Sequence, residues 1–197
     1  MNLTEMRARV REDLQDTDSQ NYRWSDDEVD GAIERVVFEY SFHAPIEQQD
    51  DIPTTNGETE LDISSLTGLL KIESVEFPIG YKPKYFQRTE YWAGQLYMED
   101  EGNGNDARVR WLKKHTLIVE STTIPTEHEE IIVLGATGYL AMSASVYTVD
   151  RASIAGRHAT INYKAWGKER LDRYAKKLKA IAQSNRVIQR QLYTEDD

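Results

Sequence analysis

Residues 24–40, WSDDEVDGAIERVVFEY, hold the clearest helix start in the chain. Ser25 stands at the N-cap position and Glu28 three residues later, the spacing of a capping box. Trp24 before the cap and Val29 after it are placed to pack as a hydrophobic staple. Val29, Ala32, Ile33, Val36, Val37 and Tyr40 then recur at helical spacing and make one apolar stripe. Pro45 limits this helix.

Upstream, Leu3, Met6, Val10 and Leu14 share a face, so residues 3–16 read as a first helix, with Asn2 and Glu5 as a capping box. A polar turn over residues 16–23 joins the two. Downstream the pattern changes near residue 50. Asn56-Gly57 is a hairpin signal, Leu61 and Ile63 alternate with polar neighbours, and residues 71–77 read as a strand. The aromatic segment 81–98 has no single reading beyond a short helix from Thr89. Val109 and Trp111 with Leu117 and Val119 suggest a hairpin around Lys113-Lys114-His115. Thr126 and Glu129 predict a cap for a third helix. Its Gly135, Gly138, Ala141 and Ser145 would let a neighbouring helix approach closely. Asp150 predicts the start of a fourth helix running to Ala182, with Gly156 and Gly167 as weak points.

The expected fold class is therefore α+β, mainly α: a helical bundle of about four helices with a β-rich insertion between helices two and three. The bundle takes residues 1–50 and 124–182, the insertion 51–123, and a C-terminal docking tail 183–197. Val10, Leu14, Ile33, Val36, Val37, Leu134, Ala141, Leu171 and Leu178 are the expected core. The insertion's Phe77, Tyr85, Phe86, Trp92 and Trp111 would form a satellite core or a contact surface.

Composition narrows the function. The 197 residues include no cysteine, which excludes disulfides, thiolate metal sites and a cysteine nucleophile. No apolar run reaches the roughly 20 residues of a membrane span, and the N-terminal residues read as a helix rather than a signal peptide. The expectation is a soluble chain. Its net charge of −10 argues against generic nucleic-acid binding. The charge is also divided. Residues 1–150 carry 13 cations and 29 carboxylates, whereas residues 151–193 carry 11 cations against Glu169 and Asp172 alone. An acidic body with a basic C-terminal arm suits an acidic partner or basic-on-acidic self-assembly, with Arg170, Arg173, Lys176 and Lys177 as candidate subunit-interface residues. In the tail, Arg186, Val187, Ile188, Arg190, Leu192 and Tyr193 alternate in the manner of a strand or short amphipathic helix that docks on a partner.

Motifs for chemistry fail on context. Gly102-Asn103-Gly104-Asn105-Asp106-Ala107 has dinucleotide-loop lettering but follows an acidic stretch instead of a strand. A calcium loop counted from Glu101 would need Gly and Glu where Asp106 and Leu112 stand. His128-Glu129 lacks the second zincin histidine, since Ile132 occupies its place. No catalytic or metal residue is assigned, and no cofactor.

Taken in order, several segments resemble the head–tail connector proteins of tailed bacteriophages, also called portal adaptors or head-completion proteins. They are the helix ending Leu14-Gln15-Asp16, the Trp24-Ser25-Asp26-Asp27-Glu28-Val29 start, and strands at Leu61-Asp62-Ile63 and Ile72-Glu73-Ser74-Val75. The Thr126-Glu127-His128-Glu129-Glu130 helix start and the basic last helix with its short tail complete the series. The resemblance implies a non-enzymatic virion protein at the head–tail junction, assembled in the host cytoplasm. It implies a homo-oligomeric ring, dodecameric in such proteins, whose tail docks on the portal protein. The ring's other face would receive the tail or next neck protein, and genomic DNA would pass through the lumen without sequence-specific binding. No membrane is involved. The alternatives are another virion structural part, such as a tail-completion or baseplate protein, or a nucleic-acid-binding regulator using Lys164, Lys168, Arg170, Arg173, Lys176, Lys177 and Lys179.

Overall fold

The computed structural model describes residues 1–148 and 163–184. Its elements in chain order are helices α1 (Leu3–Asp13) and α2 (Asp26–His43), then strands β1 (Ile46–Pro53), β2 (Glu60–Leu61), β3 (Leu69–Glu76), β4 (Thr89–Trp92), β5 (Gln95–Met98) and β6 (Asp106–Lys113). A 3₁₀ turn at Thr126–His128 leads into α3 (Glu129–Thr148), and α4 spans Tyr163–Ser184. Two compact units result. One joins Met1–Ala44 to the described residues from His115 onward, and the other is Pro45–Lys114.

The mainly α bundle with one β-rich insertion is not what the chain adopts. Among the described residues, four helices stand alongside two antiparallel sheets of three strands, ordered β1-β6-β3 and β2-β5-β4. The misreading has a local cause. Asn56-Gly57 does not close a hairpin, because the strands before and after it belong to different sheets: β1 pairs with β6 and β2 with β5. Gly57 alone takes positive φ, +81°, and the Glu58 amide bonds back to the Thr55 carbonyl at 3.2 Å. That is a turn with one left-handed residue, whereas a type I′ hairpin needs two. The real hairpin, β4–β5, turns at Ala93 (φ +50°) and Gly94 (φ +87°). It replaces the short helix expected from Thr89. β6 does not pair with 117–119; it is the central strand between β1 and β3. α2 ends before Pro45 as expected, but β1 begins at Ile46, so residues 46–50, grouped with the bundle from the sequence, are strand.

In unit two, both sheets contribute to one core containing Leu61, Val75, Phe77, Leu96, Val109 and Trp111. The acidic loop before β6 is seated against the turn after β1. The Gly57 amide donates to the Gly102 carbonyl at 2.8 Å, and Gly102 donates to the Glu58 carbonyl at 2.7 Å. A Cβ on Gly102 would stand 2.3 Å from the Thr55 carbonyl oxygen, so only glycine fits this approach.

In unit one, the predicted caps form. The Glu5 amide donates to the Asn2 side chain and the Glu28 amide to Ser25 Oγ, each with the reciprocal glutamate bond. The third cap does not form: Thr126 lies inside the 3₁₀ turn, which has no side-chain cap. The core collects Met6, Val10, Val29, Ile33, Val36, Tyr40, Ile132, Leu140, Tyr174 and Leu178. Leu134 and Leu171 only border it. Helix α3 packs on all three other helices, and its glycines explain how. A Cβ on Gly135 would meet both Val36 methyls at 2.9 Å, and one on Gly138 would meet the Leu171 side chain at 2.9 Å. On the α4 side, a Cβ on Gly167 would lie 3.1 Å from both the Ala141 Cβ and the Gly138 carbonyl. The expected start of the fourth helix at Asp150, with Ile154, Gly156 and Ile161, lies outside the described residues.

The loop between α1 and α2 is built on a buried arginine. Arg11, 5% exposed, donates to Asp16 Oδ2 at 2.7 Å, to the Trp24 carbonyl at 3.0 Å and to Asp26 Oδ1 at 2.7 Å. The Tyr22 ring covers its guanidinium at 3.6 Å. Asp16 also accepts from the Arg23 amide at 2.8 Å. The Arg11 hydrogen bond holds the Asp26 carboxyl below its usual range.

Two stability predictions follow from this packing. Arg11→Ala strands Asp16 in a buried position and should cost about 3–5 kcal/mol, while Arg9→Ala, in an exposed ion pair with Glu12, should leave the urea midpoint nearly unchanged. Gly31→Ala and Gly135→Ala gain the same helix propensity, about 1 kcal/mol, but nothing lies within 4 Å of a Cβ at Gly31. Gly31→Ala should therefore raise the melting temperature. Gly135→Ala should lower it, because overpacking costs about 1–3 kcal/mol and the β-branched Val36 cannot yield. Equal effects at the two sites would contradict the close α3 contact.

Candidate functional site

Helix α4 carries the cations singled out from the sequence, and the structure separates them. Arg170 turns inward. It donates to Asp13 Oδ1 at 2.8 Å and to Thr137 Oγ1 at 3.2 Å, with its guanidinium 4.3 Å from the Trp166 ring centroid. It joins α4 to α1 and α3, with a fifth of its side chain still exposed. Arg173 bonds Glu169 one turn earlier at 2.5 Å but remains exposed. Lys176, Lys177 and Lys179 are exposed, and no ion pair among the described residues holds them. The tail residues Arg186, Val187, Ile188, Arg190, Leu192 and Tyr193 lie outside the described residues.

A groove of about 370 Å³ opens between α2, α3 and α4, lined in part by Glu39, His43, Tyr139, Asp172 and Leu178. Glu39 is the centre of its hydrogen bonding. The Tyr139 hydroxyl donates to Glu39 at 2.7 Å, and Arg35 Nε donates to the same carboxylate at 3.1 Å while its guanidinium covers the Tyr139 ring at 3.8 Å. Burial and the Glu39 carboxylate push the Tyr139 hydroxyl up. His43 Nδ1 lies 2.9 Å from the Glu39 carbonyl, within its own helix turn. This network ties α2 to α3.

The second polar cluster lies around Tyr40. Its hydroxyl meets His128 Nδ1 at 2.5 Å, and its ring tilts against His115 with centroids 5.0 Å apart. Burial pushes the Tyr40 hydroxyl up to about 12. His115 bridges two segments, with Nε2 2.8 Å from the Ala44 carbonyl and Nδ1 2.9 Å from the Thr123 carbonyl. Its amide donates to the buried Ser41 hydroxyl at 2.9 Å. Burial pushes the imidazole below its usual value; the two carbonyls oppose that shift and His128 adds to it. The sequence offers His128 only as the start of an incomplete zincin motif and His115 only as part of a turn, since their common partner Tyr40 is distant along the chain.

Among the described residues no group of three or more His, Asp or Glu side chains could hold a metal ion, and no helix is long and apolar enough to cross a membrane. No protein-family model matches the chain, and no curated protein matches it.

The His115 environment fixes a sign. Its folded-state pKa is depressed, so below the ordinary value of 6.5 the unfolded chain takes up a proton that the folded chain resists. Stability should therefore fall as pH drops through about 6.5, in a window above that of the carboxylates. His115→Gln should flatten this part of the profile. Urea midpoints between pH 7.5 and 5.5 check it, and an unchanged slope in the variant would assign the effect elsewhere.

Proposed function

We propose that the chain is a structural protein of a phage neck, a ring subunit that joins the portal to the tail. The observation that carries the reading is the division of charge. Helix α4 offers exposed Arg173, Lys176 and Lys177, while the remainder of the chain is strongly acidic. A ring subunit needs two different, complementary sides, because its contact is heterologous. Cations on one face and carboxylates on the body supply that complementarity, and an acidic wall around a lumen would repel passing DNA phosphates. The resemblance in element order to head–tail connectors supplies the position in the particle: portal above, tail or next neck protein below. The tail 183–197 is the docking element in this reading.

One observation favours a second reading. Lys164, Lys168, Arg173, Lys176, Lys177 and Lys179 are all exposed on one helix, which suits phosphate contacts. A gel shift at two salt concentrations separates the two readings, since phosphate-driven binding weakens steeply with salt.

The adaptor reading is tested on purified protein by electron microscopy, alone and with portal-containing heads. Rings, or occupancy of the portal, are the expected result; a strict monomer that ignores the portal overturns it. Truncation after Ala182 should leave the melting temperature nearly unchanged and abolish joining to the portal. Normal joining by the truncated protein would move the docking surface away from the tail.

A further inference from the structure

The sequence holds two Asn-Gly pairs, Asn56-Gly57 and Asn103-Gly104. Both belong to unit two and lie in the two loops that meet at Gly102. An Asn-Gly pair is prone to a modification that needs no enzyme. The glycine nitrogen attacks the asparagine Cγ, a five-membered succinimide ring closes and ammonia leaves. Glycine permits this because no side chain shields its nitrogen or restricts its rotation. From the sequence the two pairs are equivalent. Their hydrogen bonds separate them.

Asn56 and Gly57 are exposed, but their backbone is engaged. The Gly57 amide donates to the Gly102 carbonyl at 2.8 Å, and the Glu58 amide reaches across the pair to the Thr55 carbonyl at 3.2 Å. Gly102 is itself buried and fixed by its bond to the Glu58 carbonyl. To close a ring on Asn56, the Gly57 nitrogen must first leave Gly102.

Asn103 and Gly104 are exposed as well. Here the Gly104 amide has no hydrogen-bond partner among the described residues. The asparagine carbonyl, in contrast, does have one: Asn103 Oδ1 accepts from the Asn105 amide at 3.0 Å. That bond folds the side chain back along the following backbone as an Asx turn. It also polarises the carbonyl. Negative charge builds on Oδ1 as the nitrogen adds to Cγ, and a backbone N–H already aimed at that oxygen stabilises it. The nucleophile is unengaged and the electrophile is activated.

We propose that Asn103 is a site of spontaneous deamidation and that Asn56 is shielded from it. The bond from Gly104 N to Asn103 Cγ forms as the bond from Cγ to Nδ2 breaks. The Gly104 amide proton passes through water to Nδ2, which departs as ammonia. Water then opens the ring at either carbonyl and leaves aspartate or isoaspartate at 103. Either product adds a carboxylate to a loop that already carries Glu99, Asp100, Glu101 and Asp106. Isoaspartate also lengthens the backbone by a methylene between Gly102 and the Asn105 carbonyl. Thr54 places two bonds on that carbonyl, from its amide at 3.1 Å and its hydroxyl at 2.7 Å. The change therefore begins at the surface and reaches the anchored part of the loop. It is independent of the ring reading.

The test is peptide mapping of the full-length protein after storage in warm, mildly alkaline buffer, native and in urea. Trypsin places Asn56 in residues 36–71 and Asn103 in residues 89–108, so the two sites are read apart. In the native protein the mass gain of an amide-to-acid change should appear in 89–108 about 2–10-fold faster than in 36–71, the ratio set by the net effect of one hydrogen bond. In urea the two rates should converge. Asn105→Gln keeps the backbone donor and should keep the gain in 89–108, whereas Asn103→Gln should abolish it. Equal native rates at the two sites overturn the proposal. So does a gain that survives in Asn103→Gln, or a native 89–108 peptide that stays unchanged while the urea sample reacts.

Discussion

The close approach of α4 to α3 governs the helical unit. Three glycines make it possible: Gly135 under Val36 and Tyr174, Gly138 under Leu171, and Gly167 over the Gly138 carbonyl. With side chains there, α4 would stand off, and Tyr174 could not reach its hydrogen bond to the Val36 carbonyl at 3.2 Å. Arg170 would likewise lose its reach to Thr137 and Asp13. The contact therefore sets both the depth of the core and the orientation of the α4 cations. It turns one of them inward and leaves Lys176, Lys177 and Lys179 outside.

Much of this unit was legible from short-range chemistry. Capping boxes at Asn2 and Ser25, the apolar stripes of α1 and α2, and the run of small residues in α3 all act within one or two turns. What escaped was decided at longer range. Arg11 reads as a solvated cation, yet it is buried because Asp16, the Trp24 carbonyl and Asp26 converge on it from a loop without periodicity. Its nearest signal is its position beside Val10 and one turn before Leu14, at the border of the apolar face. Arg170 hides in the same way.

The sheets were less legible, for reasons of the same kind. β1 has exposed side chains on both faces for most of its length, so it lacks alternation. The β4–β5 turn puts an alanine in the left-handed region, where composition predicts asparagine or glycine. Residues 85–87 join β3 through two backbone bonds and a buried glutamine, a pairing with no apolar periodicity. The candidate site divides likewise: the basic character of α4 was readable, but which cations are free depends on partners in α1 and α3. Tyr85, Phe86 and Trp92 stand open to solvent instead of joining the core of unit two.

The order of units along the chain has a consequence for synthesis. Helices α1 and α2 leave the ribosome first, but the α3 and α4 faces that cover Val29, Ile33 and Val36 come only after all of Pro45–Lys114 has been made. At a translation rate of about 5–20 residues per second, α2 waits for several seconds with its apolar stripe uncovered. The contiguous unit Pro45–Lys114, with its own core, completes within that interval. The chain thus begins one unit and finishes the other first. In the nascent chain the Arg11 cluster is what joins α1 to the start of α2 before α3 arrives.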